Sequence, residues 1–370
     1  MCIDASLLML TRHSRMGSSS RLRMLEYRPY LEAAGFRVSV SSFFDDEYLH
    51  RLAVGTRMRF SDAASGFLRR LSGVIAARHY DVVWIEKELF PFLPGAFESV
   101  LRTLETNYVV DYDDATFHRY DLNNSRVVRW LLRKKLHPLI RSARLVTVGN
   151  LYLADYTRRI GAREVVVIPT VVDLAKYPRV RKRKHDEFRI GWIGSPSTTK
   201  YLSLVHVPLE TLAAEMPLRL VTIGAGTLPD IHVPIEKHAW SEETEARLLS
   251  DLDVGIMPLT DSPWERGKCG FKLLQYMACQ LPVIASPVGV NPAIIGDDCG
   301  FLANANEDWV KALRDLRLDS NLRRSMAQAG RHRVERDYSL QGTAPHVVQA
   351  MRGVLKPVGK GNRLGACGNA

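Results

Sequence analysis

Lys268 and Lys272 stand on either side of the start of a short helix, expected from about Gly270 to Cys279. Free backbone N–H groups and the positive end of the helix dipole beside two ammonium groups form a phosphate-binding arrangement. Gly267 and Gly270 would let the backbone come close to such a ligand. A second lysine loop, Gly194-Ser195-Pro196-Ser197-Thr198-Thr199-Lys200, follows an apolar run ending at Ile193. Hydroxyls and N–H groups come first and a point charge follows about one turn later, the order a diphosphate needs. A capped helix start with a surface lysine reads from the same residues. The loop lacks Walker glycine spacing, so nucleoside-triphosphate hydrolysis is not expected.

The acids lie in the other half of the chain. Asp111, Asp113 and Asp114 follow the apolar run Tyr108–Val110, and Glu86 and Glu88 follow the run ending at Ile85. Acids clustered there can hold a cation, accept hydrogen bonds from a sugar, or serve as a base. Helix capping would explain one of them and explains three poorly. Gly17, Ser18 and Arg21, in Met16-Gly17-Ser18-Ser19-Ser20-Arg21, suit an anion or a sugar hydroxyl at a helix start, or an ordinary serine cap. The stretch is not a Gly-x-Gly-x-x-Gly fingerprint, so no dinucleotide is implied. His118, one turn beyond Asp114, could reach the same region, although a lone histidine is more often surface. Trp240 closes a short strand and would either stack on a base or belong to the core.

The elements that must position these groups alternate along the chain. Apolar runs at Leu7–Leu10, Phe36–Val40, Val82–Ile85, Tyr108–Val110, Leu145–Val148 and Val165–Ile168 are separated by amphipathic helical stretches. Four more, Ile190–Ile193, Leu218–Ile223, Val254–Met257 and Val283–Ala285, repeat the pattern. Strands interleaved with helices predict parallel sheets covered on both faces, with ligands at the carboxyl ends of the strands. The chain passes through the pattern twice, so the expectation is an α/β protein of two Rossmann-like domains. The boundary falls near 168–173, giving a first domain over 1–170 and a second over 171–339. The polar, basic stretch from Lys176 to Asp186 reads as a surface linker, and 357–370 as a disordered tail.

Residues 263–291 carry a more specific signal. Phe271-Lys272-Leu273-Leu274-Gln275-Tyr276-Met277-Ala278-Cys279-Gln280-Leu281-Pro282-Val283-Ile284-Ala285 resembles the donor-site motif of the family 4 glycosyltransferases. The likeness implies the GT-B fold, in which the two domains face an interdomain cleft and a final helix, here 340–356, crosses back to the first domain. It implies transfer of a sugar from a nucleotide-diphosphate sugar to a glycan, lipid-linked or small-molecule acceptor, with retention of anomeric configuration, no cofactor and no required metal. Carried onto this chain, it places the donor against Gly194, Ser195, Lys200, Trp240, Lys268, Gly270, Lys272, Leu273 and Gln275. The acceptor is expected near Gly17, Ser18, Arg21 and Glu86, with Lys272, Asp113 and Asp114 as catalytic groups. Two departures stand out. The family's paired glutamates fall at Gly267 and Gln275, and its helix-capping glycine is Gln280. The missing acids leave open a degenerate, non-catalytic partner subunit.

With 370 residues, a hydrophobic fraction of 46% and a charged fraction of 25%, the chain reads as a two-domain globular protein. The net charge of +11 favours anionic partners. Its five cysteines show no zinc spacing and suit a reducing cytoplasm. No run is long enough to span a membrane, and Leu7–Leu10 reads as a first strand rather than a signal segment. Between Leu122 and Ala154 stand Arg126, Arg129, Arg133, Lys134, Lys135, Arg141 and Arg144 and no acid. Read as an amphipathic helix with Trp130 on its polar side, 126–144 suits an anionic membrane surface, which would make the protein cytoplasmic and peripheral on the membrane's inner face. A solvated basic face explains the same pattern. A nucleic-acid partner is not expected.

Overall fold

The computed structural model describes residues 4–53, 59–178 and 185–355. The expected tail and the middle of the expected linker lie outside the described residues. The first sheet contains β1 (Ala5–His13), β2 (Phe36–Phe44), β3 (Val82–Glu86), β4 (Tyr108–Tyr112), β5 (Leu145–Val148) and β6 (Val165–Val167). Its spatial order is β2-β1-β3-β4-β5-β6. The second contains β7 (Phe188–Ile193), β8 (Leu218–Ile223), β9 (Ile235–His238), β10 (Val254–Met257), β11 (Val283–Ala285) and β12 (Gly300–Leu302). Its order is β12-β11-β10-β7-β8-β9. Every pairing is parallel. The central strands are apolar on both faces because helices cover both, as the unbroken runs Val82–Ile85 and Ile190–Ile193 require. In each sheet the order reverses beside the first strand, next to β1 and next to β7, and a crevice opens at the carboxyl end of such a switch.

The last helix, Leu340–Val354, buries Leu340, Ala344, Val347 and Met351 against Leu7, Met9 and Trp84 of the first sheet. The chain therefore crosses between the sheets twice. The crossings meet where Val172 donates to the Tyr338 carbonyl and Leu340 donates back to Val172.

The helix Phe271–Ala278 starts on Gly270, which is left-handed at φ 67°. Pro282 lies just beyond its end, and Gln280 adopts φ 56°. A glutamine is therefore held in the left-handed conformation that glycine occupies at little cost.

The basic stretch differs from expectation. It forms two short helices, Arg126–Leu132 and His137–Ser142, not one. Lys135, between them, is fully buried and pairs with Glu88 and Glu98 over the Tyr120 ring. In the sequence it counts simply as one of seven basic residues of a single helix, because the break at 133–136 has no strong local signal. Pro138 sits in the first turn of the second helix, where proline is well tolerated.

Candidate functional site

The two sheets point their carboxyl ends at one cleft. On the second domain, β7 ends at Ile193, and Gly194 follows with its amide on the Ile223 carbonyl. Lys272 reaches across from the helix Phe271–Ala278. Its ammonium lies 4.3 Å from the centroid of the Trp192 ring and 3.5 Å from Thr198 Oγ1. A Cβ on Gly194 would come within 2.6 Å of the Trp192 indole and 2.7 Å of that ammonium, so the packed indole favours glycine there. Gly224, at φ 75°, closes the other wall, where a Cβ would meet the Gly194 carbonyl at 2.5 Å and Trp240 at 3.0 Å. Burial, and then the neighbouring Lys268 ammonium, push Lys272 down to about 7. A lysine near neutrality, aimed at a glycine-lined turn, is poised to gain charge from an anion placed there.

Other donor-side residues lie differently. Lys200 is exposed over the Tyr201 ring, 5.1 Å from its centroid, and among the described residues no contact joins it to Lys272. Its loop continues as the 3-10 helix Pro196–Leu204, whose tighter turn swings the lysine outward. Ser195 is exposed and shares its hydroxyl with Ser197 at 3.0 Å. Gly267 and Gly270 are required by packing. A Cβ at Gly267 would meet Ala115 of the first domain at 2.6 Å, and one at Gly270 would meet Ile294 at 2.3 Å. Leu273 is wholly buried in the core. Gln275 is buried as well and hydrogen-bonds Tyr177, whose hydroxyl donates to Glu245. Glu245 also accepts from the Trp240 indole, so Trp240 has both its polar edge and, under Arg21, one face occupied. Glu265, two residues before the glycine that replaces a family acid, is buried and accepts from Tyr201 and Ser262.

On the first domain the decisive residue is one the sequence reading passed over. Lys87 follows β3 with φ 64°, a conformation a lysine adopts only when its surroundings hold it. Its buried ammonium lies 2.7 Å from Asp113, 3.3 Å from Asp114 and 2.9 Å from Ser19 Oγ. Ser19 in turn donates to Asp113. Burial raises Asp113, but Lys87 and then Arg23 overcome it and hold the carboxyl below its usual range. The same acids outweigh the burial of Lys87 and raise its pKa. Asp113 and Asp114 are thus brought together around one fixed cation. The sequence Glu86-Lys87-Glu88 at a strand end carried the signal, a lysine between acids.

The remaining acids turn inward. Asp111 is paired with Arg23 at 2.7 Å, and Glu88 with Arg12 at 2.8 Å and with Lys135 at 2.9 Å. Glu86 accepts from the Arg12 amide at 2.7 Å and from Ser20 at 2.5 Å, and its burial raises its pKa. It fixes the turn after β1 instead of facing an acceptor. Gly17 is required by His13, whose Cβ would lie 2.3 Å from an added Cβ. Ser18 is exposed at the start of the helix Ser18–Arg23. Arg21 spans the domains, 5.2 Å over Trp240 and 3.9 Å from Glu242. His118 bonds Asp121 and Tyr152, both at 2.7 Å, and is directed into its own domain.

The domains touch at the site itself. Cys269 Sγ donates to the Asp113 carbonyl at 3.0 Å, and Asn150 donates to the Lys268 carbonyl at 3.0 Å. Arg119 lies 5.4 Å over Trp264. The loop that carries Lys268 therefore rests on the segment that carries Asp113, across a single seam.

Residues 174–319 match the family described as glycosyl transferases group 1. The match lies within the second domain. No protein of curated function matches the chain. Among solved structures, sucrose-phosphate synthase from Thermosynechococcus elongatus superposes with a TM-score of 0.70 at 15% identity, over 95% of this chain and 99% of that one. HepE from Anabaena, in complex with UDP and glucose, gives 0.69 at 14% identity over 94% and 100%. A glycosyltransferase from Rickettsia africae gives 0.69 at 13% identity over 95% and 99%. The chain has the fold of these proteins, GT-B.

Proposed function

We propose that this protein transfers a sugar from a nucleotide-diphosphate sugar, held by the group 1 domain, to an acceptor held by the first domain. The observation that carries the reading is Lys272. Its ammonium, near neutrality, is aimed at Gly194 and Thr198 beside the switch point of the second sheet. A leaving diphosphate gathers negative charge as the glycosidic bond breaks, and a cation already fixed and desolvated at that place stabilises the transition state. Lys268 supplies a second positive charge. HepE, which shares the fold, was crystallised with UDP and glucose, which supports a nucleotide sugar as the donor.

On the acceptor side, Asp113 is largely buried against Lys87 and Ser19, whereas the Asp114 carboxylate is about one third exposed and placed to accept a hydrogen bond from a sugar hydroxyl. Lys87 already supplies the cation between them, which supports transfer that needs no metal. Retention of configuration fits the group 1 resemblance. The closed seam would exclude water, the competing acceptor. Incubation with a panel of radiolabelled nucleotide sugars tests the reading. Release of labelled sugar that persists in a chelator and falls at least about tenfold in Lys272→Ala is expected. Absence of any turnover across the panel would overturn it.

A second reading has its own support. No acid stands at 267 or 275, and the nearest, Glu265, is already engaged by Tyr201 and Ser262. On this reading the chain binds a nucleotide sugar without turning it over. Binding by calorimetry without release of sugar would select it.

A further inference from the structure

The first domain carries large apolar side chains on its outer surface in an ordered way. The helix Phe60–Ala76 buries Gly66, Arg70, Gly73 and Val74 against the sheet. On its outer side Phe60, Leu68, Leu71 and Ile75 follow one stripe, with Phe60 89% and Leu68 69% exposed. A helix that is apolar on both sides while half of it faces outward has an unpartnered face. The second domain has only Leu204, Val207, Leu302 and Leu318 so exposed among the described residues, with no comparable stripe.

The stripe continues into other elements on the same side of the sheet. Phe67 stacks on Phe90 at 6.4 Å, Phe90 contacts Phe97 at 6.3 Å, and Phe92 contacts Tyr120 at 5.7 Å. Those contacts lead to the helix Arg126–Leu132, whose Val127 and Trp130 are 70% and 78% exposed. Arg126, Arg133 and Lys134, all exposed, surround them. Acids are scarce on this layer. Leu122–Ala154 has none, and beside the helix Phe60–Ala76 the acids Asp45, Glu47 and Asp62 are paired with Arg69 and Arg51.

We propose that this outer layer docks on an anionic lipid bilayer. The Phe60-Leu68-Leu71-Ile75 stripe and the Val127-Trp130 face would sit at the lipid interface, and Arg126, Arg133 and Lys134 would meet the headgroups. Charge complementarity selects the occupant, because the charged residues that flank the exposed Val127 and Trp130 are all basic, and tryptophan is the residue that settles at a lipid–water boundary. The surface differs from a single basic helix over 126–144, since Lys135 is buried and a second helix contributes most of the apolar length. That helix of 17 residues gives a contact line of about 25 Å. No described helix is long and apolar enough to cross a membrane, so the contact is peripheral.

Co-sedimentation of the full chain with phosphatidylcholine vesicles, with and without about one third phosphatidylglycerol, tests this without any nucleotide sugar. Its failure is therefore distinct from failure of the transfer reading. At least about tenfold stronger binding to the anionic vesicles is expected, weakening as salt is raised. Leu68→Ser/Leu71→Ser and Val127→Ser/Trp130→Ser, each with an unchanged melting temperature, should each lower binding at least about fivefold. Arg126→Gln/Arg133→Gln/Lys134→Gln should lose at least about tenfold on anionic vesicles alone. Equal binding to both vesicle types would overturn the proposal, as would indifference to all three variants. So would lipid-free dimers that dissolve in the serine variants while vesicles bind nothing, since the layer would then join two copies of the chain.

Discussion

If Lys272 rests near 7, a nucleoside diphosphate should bind together with a proton. At pH 8 roughly one Lys272 in ten carries its charge in the free protein. A bound phosphate beside it would return the group toward its ordinary value of about 10.4, so complex formation takes up about 0.9 proton. The ligand's terminal phosphate, with a second ionisation near about 6, is already fully charged at pH 8 and contributes little. Because a protonated lysine is what the ligand needs, affinity should weaken by nearly tenfold for each pH unit above about 8, or about 1.4 kcal/mol. Calorimetry at pH 8 in two buffers of different ionisation enthalpy reads the proton directly. Lys272→Met should bind more weakly and take up none. Uptake near zero in the wild type, or equal uptake in the methionine variant, would refute the placement of Lys272 against the diphosphate.

Three further outcomes follow from the geometry. Lys87→Met removes the cation that holds Asp113 low, so kcat/KM should fall at least about tenfold and the acid limb of its pH profile should move upward; an unmoved limb would separate Asp113 from catalysis. Gln275→Glu would place a second carboxylate beside the buried Tyr177–Glu245 pair, costing about 1–3 kcal/mol in urea unfolding at neutral pH. Its raised folded pKa means the loss should shrink as pH falls toward the ordinary glutamate range, and stability equal to wild type at pH 7 would contradict the packing. Gln280→Gly should stabilise by about 0.5–1 kcal/mol, the relief of a left-handed glutamine less the added freedom of the unfolded chain, and no gain in the denaturation midpoint would count against that strain.

The architecture was legible because its signals are local and repeated. Ten apolar runs marked ten of the twelve strands, and Phe271–Ala278 followed from its spacing and the proline after it. The Ile235–His238 strand was sensed only through Trp240, and Gly300–Leu302 is too short and too close to glycine to stand out. Within the site, sequence order pointed to Lys272, Gly194, Asp113 and Asp114, which the fold does bring to one seam. It could not show where side chains turn. Glu86, Gln275 and Leu273 occupy positions a ligand contact would share, yet each points inward, because one residue or one hundred degrees of helix separates cleft from core. Lys87 escaped notice for a related reason. A positive φ on a lysine has no local signature, since only distant acids make it tolerable.

The seam between the domains sets a rate as well as a shape. Arg15 and Arg21 to Glu242, Lys176 to Glu26, Asn150 to Lys268 and Cys269 to Asp113 all bridge it and hold the two domains together. On the proposed reading, a donor would arrive and a spent nucleotide depart during an opening that breaks these links together. Most of the bridges are ion pairs at a partly solvated edge, whose attraction fades within about 8–10 Å at physiological salt. Ionic strength then acts as a throttle on traffic. It shortens the residence of both substrate and product by loosening the same latch, and steady-state turnover should respond to salt where a single turnover from a preloaded cleft does not.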